Sequence, residues 1–171
     1  MIIEALTPAS FHAAKRDLVE LLRSCVDAGG SLGYLAPMPE SQAVDFWDGV
    51  GTHVESGVRT VLIARDGHRI VGTVQIAFES KPNARYRAEV MKMMVAPSHR
   101  RRGIAADLVR ELERHARERS ITLLVLDTAE GPSGARNFYE SLGYVYVGGI
   151  PDYALDPAGV PVQNAIYFKR L

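Results

Sequence analysis

The segment EVMKMMVAPSHRRRGIAADLVREL, residues 89–112, constrains the fold more than any other part of the chain. Residues 89–95 are mostly apolar and predict a buried strand, which ends before Pro97 because proline lacks a backbone N–H. From Ile104 onward the apolar residues recur at helical spacing, and charged residues occupy the opposite side. Three arginines and Gly103 separate the two elements. A strand that leads directly into an amphipathic helix favours an α/β fold with a crossover helix.

The junction between this strand and this helix can hold a phosphate group. Backbone N–H groups in the first turn of a helix have no partner within the helix and carry partial positive charge. Gly103 lets a ligand approach the backbone, small Ala105 keeps side-chain bulk away, and arginines add charge-assisted hydrogen bonds. A solvated basic turn is the alternative explanation of RRRG. The segment matches neither G-x-x-x-x-G-K-[ST] nor G-x-G-x-x-G, which excludes a P-loop and the dinucleotide-binding motif here.

Hydrophobic periodicity along the rest of the chain predicts the order of the other elements. Strands are predicted at residues 2–6, 60–65, 69–78, 89–95, 122–128, 144–147 and 165–168. Helices are predicted from residue 8 or 10 to 26 and at residues 39–54, 104–118 and 135–142. Asp66-Gly67 is a hairpin signal, residues 122–128 have the pattern of a fully buried strand, and the segment before the last strand is predicted as loop. The order β-α-α-β-β-β-α-β-α-β-β predicts one α/β domain, residues 1–171, with a mixed sheet of about seven strands and about four helices.

Composition excludes several classes of function. The 20 basic and 20 acidic residues cancel, so no overall field attracts nucleic acid or an anionic membrane. The first residues lack the pattern of a signal peptide, and no apolar run approaches the length of a membrane span. The single cysteine, Cys25, excludes an internal disulfide, and the 5 histidines show no metal-ligand spacing. We therefore expect a cytoplasmic protein with no metal, no nucleic-acid partner and no membrane association.

Residues 95–105, V-A-P-S-H-R-R-R-G-I-A, resemble the acyl-CoA signature of the GNAT superfamily of N-acetyltransferases. Arg100, Gly103 and Ala105 take the three defined positions of that signature. The resemblance implies the GNAT fold, with acetyl-CoA as co-substrate. It also implies that the pyrophosphate contacts the backbone amides of this loop and that the preceding strand pairs with the pantetheine arm. The implied acetyl-CoA-binding residues are Met93, Met94, Val95, Arg100, Arg101, Arg102, Gly103, Ile104, Ala105 and Asn137.

A second motif supports the same resemblance. N-F-Y-E-S-L-G-Y, residues 137–144, is similar to the family's second signature, in which a tyrosine meets the sulfur of CoA. That residue would be Tyr139, which could donate its phenolic proton to the departing thiolate. The alternative is an ordinary core tyrosine on a short helix beside Phe138. The predicted order of strands and helices also matches the superfamily over essentially the whole chain.

A narrower resemblance links the chain to the tabtoxin-resistance acetyltransferases, which acetylate an amino-acid-like β-lactam toxin. The segments KPNARYRAEVMKMMV, VLDT and IPDYALDPAGVPVQNAIYFK carry this resemblance. One departure is that Arg101 and Arg102 stand where many relatives have glycine and a variable residue. In that group the matching glutamate and aspartate are implicated in catalysis, which implies that Glu89 and Asp127 act on the acceptor amine.

The chemistry of acyl transfer gives these two carboxylates a role. An aliphatic amine with a pKa near ~10 is mostly protonated at neutral pH, so a base assists the reaction. Glu89 and Asp127 lie on strands next to the proposed thioester position, where they could bind the ammonium ion and take its proton, directly or through water. The alternative is a surface glutamate and an aspartate that caps a turn. In that case Glu130 and Asp152 are the next carboxylates to consider.

The acceptor itself is less well defined by the sequence. Tyr34 and Tyr153 lie in the two long loops and are expected to wall the acceptor pocket, whereas Lys92 either approaches CoA or points to solvent. These observations together predict direct transfer of acetyl from acetyl-CoA to the amino group of a small acceptor of amino-acid-like or toxin type. A monomer or a homodimer would suit this chemistry. Two alternatives remain: a peptide or protein N-acetyltransferase, and a non-catalytic module that senses CoA.

Overall fold

The computed structural model describes residues 1–129 and 135–171, and its elements follow the predicted order. The helices are α1 (Pro8–Asp27), α2 (Glu40–Glu55), α3 (Ile104–Glu118) and α4 (Ala135–Ser141). The strands are β1 (Ile2–Ala5), β2 (Arg59–Asp66), β3 (Arg69–Phe78), β4 (Arg87–Val95), β5 (Leu123–Ala129), β6 (Val145–Gly148), β7 (Ala154–Leu155), β8 (Pro161–Val162) and β9 (Asn164–Arg170).

Seven strands form one mixed sheet in the order β1-β2-β3-β4-β5-β9-β6. Neighbouring strands are antiparallel except β4 and β5, which are parallel and joined through α3 as a crossover helix. The predicted α/β fold, with about seven strands in a mixed sheet and about four helices, is therefore confirmed.

The first two helices cover one face of the sheet. Thr7 begins α1 through a capping box with Ser10, in which each side chain accepts a hydrogen bond from the other residue's backbone N–H. The apolar faces of α1 and α2 pack together, and Cys25 and Trp47 are buried in the layer that these helices form with the sheet. No helix in the described part of the chain is both long enough and apolar enough to cross a membrane.

Alternation along the strands separates two hydrophobic layers. Ala88 and Val90 of β4 and Leu124 and Leu126 of β5 face α3 and α4. Because successive side chains of a strand point to opposite faces, the residues between them face the side of α1 and α2. Glu89 is one of these residues, and this orientation places its carboxylate outside the main α3 core.

Two details of the fold differ from the sequence prediction. The prediction of a fully buried strand at residues 122–128 is wrong. Leu124 and Leu126 are buried, whereas Asp127, on the opposite face of the strand, is exposed. Only the face of β5 that meets α3 and α4 is closed by apolar packing. The segment predicted as a plain loop contains the β7–β8 hairpin, whose two-residue strands are too short to show a period in the sequence.

The loop between β4 and α3 adopts the left-handed backbone region at two positions. Gly103, the residue that begins α3, has φ of 82°, a conformation that glycine adopts without cost. Arg101 has φ of 64°, which costs a residue with a β-carbon about 1 kcal/mol. The backbone at position 101 is therefore one that favours glycine, in keeping with the glycine that the resemblance implies there.

This backbone strain leads to a stability prediction for Arg101→Gly, with Arg102→Gly as its matched control. We expect Arg101→Gly to leave the melting temperature unchanged or higher, because relief of the left-handed strain offsets the added freedom of the unfolded chain. Arg102→Gly should lower stability by about 1 kcal/mol, because it adds unfolded-state freedom and removes the bond from Arg102 Nη2 to the Ser98 carbonyl at 3.1 Å. Thermal unfolding of both variants measures the difference. A greater loss at Arg101 than at Arg102 would contradict this account.

Candidate active site

Strand β4 has one extra residue, relative to β3, between two of the positions at which the strands pair. Thr73 pairs with Met94, but Gln75 pairs with Met91, so three steps along β4 match two steps along β3. Lys92 lies within this bulge and has a left-handed φ of 52°. The extra residue interrupts the alternation, and Lys92 extends its side chain toward the loop before α2 instead of toward α3.

The sheet opens between β4 and β5. The parallel pairing of these strands covers only three residue pairs, Arg87 to Glu89 with Leu123 to Val125. Among the described residues, the two strands make no further pairs, although β4 continues to Val95 and β5 to Ala129. The edge of β4 that contains Met93 to Val95 is therefore available to an extended ligand that pairs like an added strand.

Glu89 and Asp127, the two predicted catalytic carboxylates, lie at the start of this opening. Glu89 is opposite Val125, and Asp127 follows two residues later on β5, on the same face of the sheet. Burial raises the pKa of Glu89, the Asp127 charge raises it further, and the cations of Arg59, Arg87 and Lys92 oppose both effects. The structure thus brings the two carboxylates close enough for the charge of one to influence the ionisation of the other.

A cavity of about 310 Å³ lies beside Glu89 on the same face. The Glu79–Arg87 ion pair, at 2.8 Å, forms part of its wall. The complete lining is Ala77, Phe78, Glu79, Ser80, Arg87, Ala88, Glu89 and Val125. A cavity of this size next to the exposed Glu89 carboxylate suits a small polar molecule.

The sequence does not decide the environment of Lys92, and the structure places its side chain beside the loop that precedes α2. Its Nζ donates a hydrogen bond to the Leu32 carbonyl at 2.7 Å. The same atom lies 5.9 Å from the ring centroid of Tyr34 and 5.6 Å from that of Phe46. Burial lowers the pKa of Lys92, while the Asp127 and Glu89 charges raise it. Of the two sequence alternatives, the contacts of Lys92 argue against exposure to solvent, whereas an approach to CoA stays a prediction.

Arg59 and Gln75 are two further polar residues that sequence reasoning missed. Arg59 Nη1 donates to Gln75 Oε1 at 3.3 Å, and Gln75 is fully buried. Burial lowers the pKa of Arg59, and the Glu89 charge raises it. The sequence contains a signal for Gln75, which is a polar residue among the apolar residues of the buried strand β3. Arg59, at the start of β2, has no such signal.

The loop before α3 combines exposed arginines with uncapped N–H groups. No side chain in the described part of the chain accepts a hydrogen bond from the N-terminus of α3. A β-carbon added at Gly103 would meet no heavy atom within 4 Å, so the space above the backbone is open. Arg100 donates to the Val95 carbonyl at 3.4 Å, and Arg102 donates to that of Ser98, so both also brace the loop. Open space, positive charge and unpaired N–H groups fit a pyrophosphate.

Three other residues of the predicted acetyl-CoA set have buried or partly buried side chains. Met94 packs in the α1–α2 layer, Ile104 is buried in the α3 layer, and Ala105 is partly buried. Ile104 packs against β3 at Gly72, where a β-carbon would lie 3.2 Å from Ile104 Cγ2. These positions could contribute backbone N–H groups to a ligand, whereas their side chains mainly position the strand and the helix.

Tyr139 and Asn137 occupy opposite sides of α4. Tyr139 is buried against the rings of Phe138, Tyr144 and Tyr167, on the α3 side of the sheet. Burial, followed by the Tyr167 charge, raises the pKa of the Tyr139 phenol well above its usual range. Asn137 is exposed. The structure therefore does not place Tyr139 on the face that contains Glu89 and Asp127.

The two predicted pocket tyrosines differ in environment. Tyr34 is partly buried and packs edge-on against Phe46, close to Lys92. Tyr153 is 54% exposed, next to the β7–β8 hairpin. Of the alternative carboxylates, Asp152 is exposed and Glu130 lies outside the described residues. Within residues 1–129 and 135–171, no group of three or more His, Cys, Asp or Glu side chains could hold a metal ion.

Comparison with solved structures places this arrangement in a known fold. A ribosomal-protein-alanine N-acetyltransferase from Brucella melitensis superposes with a TM-score of 0.80 at 20% identity, covering 100% of each chain. The yncA protein of Salmonella typhimurium, solved with its cofactor acetyl-CoA, superposes with a TM-score of 0.78 at 17% identity. That match covers 100% of this chain and 94% of the other. At these identities the comparisons establish a shared fold.

Sequence comparison identifies the family. N-acetyltransferase 8F1 of Rattus norvegicus is 31% identical over 87 residues, which cover 50% of this chain. The match spans only 39% of the length of that relative. The model of the acetyltransferase (GNAT) family matches residues 18–144, most of the chain and all of the segment from α2 through α4. The chain is therefore a member of the GNAT family of acetyltransferases.

Proposed function

We propose that residues 1–171 form one catalytic unit that transfers the acetyl group of acetyl-CoA directly to the amino group of a small acceptor. The observation that carries this proposal is the Glu89–Asp127 pair at the point where β4 and β5 separate. One side of this opening offers a free strand edge, and the other offers two carboxylates and a cavity of about 310 Å³. A donor thioester and an acceptor amine could therefore meet at Glu89.

The residues of the β4–α3 segment fit acetyl-CoA. Backbone N–H groups at residues 100–105 would bind its pyrophosphate, with Arg101 free of the internal bonds that Arg100 and Arg102 make to the loop. Met93, Met94 and Val95 would pair with its pantetheine amides along the open edge of β4. When bound, acetyl-CoA supplies the activated acyl group. The presence of acetyl-CoA in the yncA structure supports this assignment.

Glu89 and Asp127 would act on the acceptor amine in two stages. Their negative charges first hold the ammonium form, because carboxylates are acceptor-only groups when ionised. Glu89, whose pKa is raised by burial and by Asp127, then takes the proton, directly or through water. A carboxylate with a raised pKa is a stronger base, so it receives the proton more readily than an ordinary surface glutamate does.

Tyr139 would assist the departure of the thiolate. The phenol is protonated at neutral pH, which a proton donor requires, and its burial raises the pKa, which makes it a weaker acid until a ligand changes its surroundings. Because Tyr139 lies on the α3 side of the sheet, its proton would reach the sulfur through the opening between β4 and β5. Asn137, exposed on the same helix, would contact CoA at the surface.

The cavity and its surroundings favour a small acceptor. A space of about 310 Å³ beside Glu89 accommodates an amino-acid-sized molecule, in keeping with the resemblance to tabtoxin-resistance enzymes. Tyr34 and Tyr153 do not line this cavity, and they would instead contact a part of the acceptor that extends beyond it. The Brucella melitensis neighbour is named for a protein substrate, so a peptide acceptor is the second candidate to test.

The decisive experiment measures CoA release from acetyl-CoA with a panel of amines. The panel contains amino acids, their decarboxylated amines, and peptides with free N-terminal alanine. We expect turnover with at least one small amine and higher kcat/KM for small amines than for peptides. Stabilisation by CoA in a thermal-shift assay, without turnover on any amine, would instead favour a CoA-sensing module. Preference for the peptides would favour the protein N-acetyltransferase alternative.

Gly103→Asp tests the proposed pyrophosphate site, with Gly103→Ala as its matched control. Both substitutions place a β-carbon on the same left-handed backbone, which aspartate tolerates at least as well as alanine, so backbone strain does not favour the alanine variant. Only aspartate adds a negative charge at the N-terminus of α3, where the phosphates would lie. We expect the aspartate variant to bind acetyl-CoA at least about tenfold more weakly than the alanine variant by isothermal titration calorimetry. Equal affinities would show that the phosphates bind elsewhere.

Glu89→Gln and Asp127→Asn test the carboxylate pair. Each should lower kcat/KM for the amine by about 10²-fold and leave acetyl-CoA affinity unchanged, because the charge is lost while the shape remains. Alkaline pH should partly restore both activities, since more of the amine is then already neutral. The acidic limb of Asp127→Asn should move to lower pH, because the charge that helps to raise the pKa of Glu89 is gone. Glu20→Gln, an exposed residue of α1, is the matched control.

The double variant separates a joint role from two independent ones. If the carboxylates act as a unit, Glu89→Gln with Asp127→Asn loses less activity than the product of the two single losses. Multiplicative losses would contradict the pairing. Absence of alkaline rescue would contradict the role of a base, and two fully active single variants would make both residues structural.

A further inference from the structure

We propose that Lys92 is a positioning residue of the acceptor site, which joins the loop at residues 32–34 to the β4 bulge and balances the charges of Glu89 and Asp127. This inference rests on the proposed function, because it assigns Lys92 to the site of the amine. It adds a residue that does not touch the reacting atoms. Its effects would reach the chemistry through the loop, the bulge and the carboxylates.

The contacts of the ammonium group connect two separate parts of the chain. Lys92 Nζ donates to the Leu32 carbonyl at 2.7 Å, and a β-carbon on Gly33 would lie 3.5 Å from the same atom. The Tyr34 and Phe46 rings lie within the range of cation–π attraction, at 5.9 and 5.6 Å. One side chain thus contacts the loop between α1 and α2 and also the α2 helix itself.

The backbone conformation of Lys92 connects these contacts to the edge of β4 that is proposed to bind acetyl-CoA. Its left-handed φ of 52° is unfavourable for lysine, so neighbouring contacts must hold the bulge in place. The next residues, Met93 and Met94, are the proposed pantetheine-pairing edge. If Lys92 loses its anchor, the direction of this edge changes relative to Glu89, which lies on the other side of the bulge.

The charged groups around the Lys92 ammonium connect this residue to the carboxylate that would act on the acceptor amine. The charged groups that influence Lys92 are Arg59 on β2, Glu89 on β4 and Asp127 on β5, and Arg87 on β4 also acts on Glu89. Gln75 on β3 is neutral, and Tyr34 is the titratable group of the loop, its pKa raised by burial. Lys92 therefore favours the ionised form of Glu89, which is the form that binds an ammonium ion and accepts a proton.

The experiment compares Lys92→Met, which keeps the length but removes the charge, with Lys92→Arg, which keeps the charge. We expect Lys92→Met to move the acidic limb of kcat/KM upward, by less than Asp127→Asn moves it downward, and to lower kcat about tenfold. The sign follows because loss of the cation raises the pKa of Glu89 further. Lys92→Arg should restore most of the pH profile. Lys15→Met, which removes the exposed Lys15–Asp48 pair on α1 and α2, is the matched control.

Two measurements do not depend on activity and keep this inference distinct from the proposed function. Carbon-detected NMR titration of the protein without substrate should show a higher pKa for Glu89 in Lys92→Met and no change in Lys15→Met. Hydrogen exchange should be faster at the amides of residues 32–34 in the first variant alone. An unchanged Glu89 titration together with unchanged exchange overturns the role of Lys92, even if acetyl transfer is observed. Both effects without turnover on any amine would retain that role and overturn the proposed function.

If Lys92→Met does not fold, Lys92→Gln replaces it in every measurement. Glutamine retains a hydrogen-bond donor for the Leu32 carbonyl but has no charge. We then expect normal exchange at residues 32–34 with the same upward movement of the Glu89 pKa. A Glu89 pKa equal to that of the parent protein in this variant would overturn the charge-balancing role.

Discussion

The extra residue in β4 is the constraint on which the rest of the active-site region depends. A regular strand would place Lys92 toward α3, whereas the bulge places it beneath the loop that precedes α2. The bulge follows the short stretch in which β4 pairs with β5, and beyond that stretch the strand edge is free. Strand pairing thus holds Glu89 firmly while it leaves Met93 to Val95 available to a ligand.

The charges near this opening are balanced across several strands. Glu89 and Asp127 supply two negative groups, and Arg59, Arg87 and Lys92 supply positive ones from β2 and β4. Glu89 and Asp127 are exposed, whereas Arg59, Arg87 and Lys92 are partly buried, in surroundings that screen charges less effectively than bulk water does. A carboxylate pair placed in this way can bind a cation, and the raised pKa of Glu89 makes it a better proton acceptor than an ordinary surface glutamate.

The fold could be predicted because its signals are local. The capping residues Thr7 and Ser10, the Asp66-Gly67 turn and the helical spacing after Ile104 each determine a structure within a few residues. The positions of Glu89 and Asp127 on neighbouring strands also followed from the order of elements. The wrong prediction that β5 is fully buried has a different origin. The exposure of Asp127 depends on which helices cover each face of the sheet, and a run of hydrophobic residues does not contain that information.

The sequence by itself determined the family, the strand–loop–helix junction and the candidate carboxylates, since residue types at fixed spacing carry that information. Only the tertiary structure decided the environment of Lys92, the burial of Tyr139 away from the carboxylate face and the inclusion of Arg59 and Gln75. The physical reason is that these features depend on the register between strands that are distant in sequence. One inserted residue changes the direction of the side chains that follow it, and no local pattern marks where that insertion occurs.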